Sequence, residues 1–301
     1  MSNWEVTSST SELSISRQRS LIVNGDDFGF SQGVNRAIIQ AHQAGILTST
    51  SLMVTGAAFE EAVALAQAHP QLAVGLHLVL CCDRSILPPS AIPHLVDRQG
   101  NFSNNPEGAG LRYQLNRAAR QELKQEIRAQ LERFQQTGLQ LSHVDGHLHM
   151  HVHPVVLQIL VELADEFKIR TIRLPFEELN LSLSLDRSYL LTKLIWWVLF
   201  GGLRCYGERL LRTNGIGFSD RVYGLLQTGY INESYLLGLI PKIQADWVEL
   251  YAHPALEQPG EPLNGPSGET ELQALLSDRV RAIVQESGFQ LTNYLQSKRN
   301  E

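Results

Sequence analysis

Cysteine is scarce in this chain, with three in 301 residues. Cys81 and Cys82 are adjacent and Cys205 is remote, which excludes a disulfide framework and a spaced zinc–cysteine motif and favours a reducing compartment. No run of lysine or arginine occurs and the net charge is -6, so the chain is not a general nucleic-acid binder. No window reaches the roughly 20 apolar residues that a membrane span needs. Residues 1–18 have neither a basic n-region nor an apolar h-region; being polar and rich in Ser and Thr, they read as a disordered tail rather than a signal peptide. A cytoplasmic location is the expectation, at most peripheral to the inner membrane face. Repeats, low-complexity blocks and convincing linkers are also missing. One domain over residues 19–298 is the simplest account.

What the chain does have is 43% apolar content, enough for a large core, and a strand–helix alternation through its first half. Leu21–Val23 reads as a buried strand that ends in Asp26, Asp27 and Gly29. Ser31 is placed to cap a helix that ends near Gly45. Strands are expected at 48–54 and 73–80, with a helix at 57–69 between them. This is the pattern of βαβ units and a parallel sheet. Residues 81–110, rich in Pro, Gly and Asn, read as a long functional loop. A helix follows at 115–136, and Pro154 sits at the first position of another. Short strands are expected at 171–174 and 246–251, and a last helix at 269–287 after a Pro/Gly-rich loop, 257–268. The most apolar window, 189–206, contains Trp196 and Trp197 between Lys193 and Arg204. It reads as a buried helix, with an interfacial, lipid-contacting helix as the alternative.

The chemistry concentrates at strand ends. Adjacent carboxylates repel, and a bound cation or a shared proton relieves them. His143, Asp145, His147, His149, His151 and His153 all occupy odd positions, but so polar a face packs poorly. The segment should therefore leave the sheet partway, with its first half in a site and the later histidines solvated or hydrogen-bonded. His77 is the one polar residue in an otherwise apolar strand. In parallel α/β folds the strand C-terminal ends converge on one face. Asp27, His77 and His147 would meet there as a carboxylate and two imidazoles, a donor set for a divalent cation such as zinc or magnesium. Asp26 would remain free to take a proton from a water.

Five blocks carry a resemblance: Asn24–Gly–Asp–Asp–Phe–Gly29, Gly33–Val–Asn–Arg–Ala37, Thr48–Ser–Thr–Ser–Leu–Met–Val54, Gly75–Leu–His–Leu78 and His143–Val–Asp–Gly–His147. Together they resemble the YdjC-like carbohydrate deacetylases. That resemblance implies a TIM-like, distorted (β/α) barrel, here with an apolar helical insertion at 188–213. It further implies removal of N-acetyl groups from amino sugars with one divalent metal, Asp27, His77 and His147 as ligands and Asp26 as general base. His253 matches a histidine near the end of the family pattern and is cast as general acid for the leaving amine. A narrower likeness, in Ile86–Leu–Pro–Pro–Ser90, Asp220–Arg–Val–Tyr–Gly224 and Tyr251–Ala–His–Pro–Ala255 among others, is to the hopanoid-biosynthesis branch, HpnK. It implies an N-acetylglucosaminyl hopanoid as substrate, with Trp196 and Trp197 against its apolar part.

Arg173 is expected to anchor a sugar hydroxyl or acetate, or else to form a structural salt bridge. Two rivals stand beside the deacetylase: a non-haem iron oxygenase built on the same two histidines and carboxylate, and a non-enzymatic lipid-binding protein. Metal identity and homo-oligomerisation are left open.

Overall fold

The Leu21–Val23 run belongs to a ten-residue strand, β1 (Arg19–Phe28), buried from Leu21 onward. The computed structural model describes residues 19–257 and 267–296, so the expected tail at 1–18 and most of the 257–268 loop lie outside the described residues. After β1 come α1 (Gln32–Ala44), β2 (Ser49–Leu52), α2 (Phe59–Ala68) and β3 (Ala73–Leu78). Ser31 caps α1 as expected, its hydroxyl accepting the Val34 N–H at 3.3 Å, and Val34, Ile38 and Ile39 face the core. The chain continues through α3 (Pro106–Leu115), α4 (Arg117–Gln136), β4 (Leu141–Gly146), α5 (Pro154–Phe167), α6 (Leu179–Leu185) and α7 (Leu190–Thr213). It closes with β5 (Arg221–Tyr223), α8 (Glu233–Leu239), β6 (Trp247–Ala252), α9 (Gly268–Leu276), α10 (Asp278–Glu286) and β7 (Phe289–Thr292).

The strands run parallel in the order β4-β3-β2-β1-β6-β5, and β7 pairs with the first residues of β1. In a flat sheet β4 and β6, four steps apart, would lie about 19 Å from each other. Instead both reach one guanidinium, since Arg173 contacts Asp145 of β4 and Glu249 of β6. The sheet is therefore curled around that side chain. The expected (β/α) barrel holds in its coarser part, an α/β fold with a curled parallel sheet. Between β4 and β5 the described residues supply only isolated bridges, Val144–Ile172, Thr171–Gly217 and Phe176–Val222, in place of the strand expected at 171–174.

Three other expectations change. The 115–136 helix begins later, because Asn116 ends α3 and caps α4, its side chain accepting the N–H groups of Ala118 and Ala119. The 269–287 helix is broken at Ser277, whose hydroxyl caps α10. The apolar window at 189–206 is a helix but not a buried one: Leu191 is 70% exposed and Val198 61%. The two cations that flank its apolar core, Lys193 and Arg204, turn inward together with Phe200. The 81–105 stretch is irregular but tethered, with buried Glu126 of α4 accepting the N–H groups of Ile86 and Leu87.

Candidate active site

Asp26 and Asp27 stand at the end of β1, where the pairing with β2 shifts register between Gly25 and Phe28. Asp27 has φ 65, the left-handed region, which costs a non-glycine residue about 1–2 kcal/mol. That turn gives the two adjacent carboxylates different partners. Asp27 faces the histidines, with its Oδ1 3.0 Å from His77 Nε2 and 3.0 Å from His147 Nδ1. Asp26 faces Arg173, which binds both of its oxygens at 2.6 and 2.8 Å. Asn24 adds a 2.8 Å bond to Asp26 Oδ1.

His77 is held from both sides. Its Nδ1 lies 2.8 Å from Asp145 Oδ1, so the ring is oriented with Nε2 towards Asp27. His147 follows directly on β4. Gly146 makes that exit tight, because a Cβ there would sit 2.9 Å from the Leu78 carbonyl. Leu148 and His149 then take left-handed conformations and the chain turns out of the sheet, as the poor packing of six polar residues on one face required.

The electrostatics follow from burial and charge. Burial raises the Asp27 carboxyl, but His147 and His77 outweigh it and hold the group well below the usual carboxylate range. Burial lowers His77, yet the flanking Asp145 and Asp27 push it up to about 10. Asp145 is likewise held low against its burial by Arg173 and His77. One ligand atom from each of Asp27, His77 and His147 lies within 4.8 Å of the others. One carboxylate and two imidazoles with an orienting acid behind His77 are a donor set that fits a divalent cation.

Behind this cluster sits Arg173, at 0% exposure. Besides Asp26 it pairs with Asp145 at 2.8 Å and Glu249 at 2.6 Å, and its guanidinium lies 4.8 Å from the Tyr251 ring centroid. Glu249 is bonded in turn by the Tyr294 hydroxyl. Of the two readings of Arg173, the salt bridge is present in the structure, the side chain being buried among three carboxylates. The sequence alone does not mark Asp145 or Tyr294 as supporting residues. A signal existed for Glu249, which is a lone acid in the apolar strand Trp247–Ala252 much as His77 is a lone imidazole in β3.

His253 lies one residue beyond Ala252, which pairs with Gly25, the residue before Asp26. Its own N–H is accepted by buried Glu271 at 2.6 Å, and its ring Nδ1 is 3.9 Å from the same carboxylate. His149 and His151 are buried and hydrogen-bonded, to the Tyr251 hydroxyl and the Arg173 carbonyl, both at 3.0 Å. Trp196 lines a cavity of about 300 Å³ together with Leu225, Leu226 and Thr228. Thr228 bonds the Tyr251 hydroxyl at 2.8 Å, so this cavity is one side chain removed from the Arg173 cluster. Trp197 turns the other way, onto Phe176.

The family model described as YdjC-like protein matches residues 20–286. A carbohydrate deacetylase of Brevibacillus brevis is 44% identical over 156 residues, which is 52% of this chain and 59% of that protein. The chain thus spans about three fifths of that relative's length. A carbohydrate deacetylase of Vibrio parahaemolyticus is 30% identical over 286 residues, covering 91% of this chain and 94% of that protein. A solved Enterococcus faecalis structure, named for cellobiose-phosphate cleavage, has the same fold: TM-score 0.71 at 24% identity, over 92% of this chain and 98% of that one.

Proposed function

Because the chain belongs to the YdjC-like protein family, we propose that it is a metal-dependent hydrolase that removes the N-acetyl group from an amino sugar. The observation that carries this reading is Asp26, braced by Arg173 and placed beside a three-residue donor cluster. Asp27, His77 and His147 would hold the ion. When bound, a zinc or magnesium ion would lower the pKa of a water and polarise the acetamide oxygen.

The proton chemistry falls to two residues of the chain. Both lone pairs of Asp26 Oδ1 are engaged, by Asn24 and by Arg173, whereas among the described residues Oδ2 receives only the 2.6 Å bond from Arg173. Oδ2 is therefore the atom that takes the proton from the attacking water. As the water oxygen bonds to the carbonyl carbon and the C–N bond breaks, His253 gives a proton to the departing nitrogen. The products are acetate and a free amine. An oxygenase using the same donors would have no task for a carboxylate braced next to them.

The finer reading is a glycolipid substrate, an N-acetylglucosaminyl hopanoid by likeness to that branch. The cavity beside Trp196 supports an apolar portion being held near the site. The test is mass spectrometry of the metal-reconstituted protein with chito-oligosaccharides and with an N-acetylglucosaminyl lipid. Loss of an acetyl group from either supports the hydrolase, and no loss from both overturns it. Substituting Trp196 by Ser should slow the lipid and spare the soluble sugar; equal slowing would remove the glycolipid reading.

A further inference from the structure

The first half of α7 presents a continuous apolar surface to solvent. Leu190, Leu191, Leu194, Ile195, Val198 and Leu199 are between 42% and 70% exposed. Residues 188–203 contain a single side chain charged at neutral pH, Lys193, and it is 5% exposed, bonded inward to Asp186 and Gln227. The face is thus uncharged because its one cation has been withdrawn. Large exposed side chains of this kind in such density mark an interaction surface.

We propose that this face docks the protein on a phospholipid bilayer. The six side chains project from a convex helical ridge, which sinks into the acyl boundary of a bilayer and is covered there on all sides. The rim suits a headgroup region. Tyr189, Tyr206 and Tyr230 are 64%, 40% and 47% exposed and carry polar tips on apolar rings. Exposed basic residues stand at both ends of the apolar stretch, Arg187 before it and Arg209 after it, suited to anionic headgroups, whereas Arg212 pairs with Glu208 at 3.8 Å. Among the described residues no helix is long and apolar enough to cross a membrane, so α7 would lie on the surface rather than span it.

The test is flotation of the full chain with vesicles of phosphatidylcholine and phosphatidylglycerol, alongside sedimentation velocity without lipid. The wild type should float with the vesicles and sediment alone as a monomer. Leu191→Asp with Val198→Asp, both on exposed positions, should cut the bound fraction about tenfold while circular dichroism and hydrolysis of a soluble N-acetyl sugar stay unchanged. A wild type that fails to float, or a double variant that floats equally well, overturns the proposal. So does a wild-type dimer that the variant dissociates. Flotation requires no turnover, so it succeeds or fails independently of the deacetylase reading.

Discussion

Arg173 grips Asp26 through two hydrogen bonds, 2.6 and 2.8 Å long, and the pair is almost wholly buried. An ion pair removed from water is costly unless every group is satisfied. Here the guanidinium also contacts Asp145 and Glu249, so one cation is shared among three buried acids, and burial pushes the Glu249 carboxyl up. The geometry fixes Asp26 without adding a ligand to the neighbouring cluster.

Replacing Asp26 by Asn should leave metal content unchanged, since Asp27, His77 and His147 are untouched, and should lower turnover by about two to four orders of magnitude. Acetate release and elemental analysis on the same preparation check both halves. Near-normal turnover would remove Asp26 as the base.

Asp145 acts on the candidate ligand His77 through the 2.8 Å contact to Nδ1. Losing that acceptor frees the ring to rotate and weakens its donor atom. Asp145→Ala should reduce metal affinity about 10- to 100-fold, read by titration against a chelator. An unchanged affinity would show that His77 does not need this orienting contact.

As general acid, His253 would be needed only when the leaving group is a poor one. His253→Gln should cut amide hydrolysis about 100-fold or more and leave hydrolysis of an aryl acetate, whose phenolate departs unaided, nearly intact. Equal losses on both substrates would argue for a structural role through Glu271.

Glu177 offers a stability test away from the chemistry. It is 1% exposed, and burial pushes its carboxyl up to about 7, against the N–H groups of Leu226 and Gly224 that lower it. The folded state therefore binds this proton more tightly than the unfolded chain. The associated stability is complete below the ordinary carboxyl range, near 4.5, and is lost as pH rises through about 7. The loss amounts to about 3 kcal/mol. Glu177→Gln keeps an acceptor for the Leu226 N–H and abolishes that loss, so its Tm should gain on the wild type between about pH 4.5 and pH 7. A Tm difference independent of pH would refute it.

Local signals made the first half of the fold legible. Buried runs followed by a capping serine, a glycine and a new apolar run mark β1, α1 and β2 whatever surrounds them. The candidate ligands were legible for a related reason: Asp27, His77 and His147 are polar residues where an apolar strand stops or is interrupted. The bridges at 171–176 were harder to anticipate, because a segment with one paired residue at a time has the composition of a strand without its ladder.

By itself, the sequence determined which residue types could do chemistry and that two carboxylates stand side by side where the first strand ends. Only the tertiary structure decided the partners. That Arg173 would stand behind Asp26, and Asp145 behind His77, depends on which strands become neighbours when the sheet curls. It decided the fate of α7 as well. Hydropathy counts apolar side chains without saying where they point, and here the leucines of the helix's first half face outward while Lys193 and Arg204 turn in to acceptors supplied by Asp186, Gln227, Leu174 and Ser219. Those acceptors come from other segments of the chain, so the outcome could not be read within the helix.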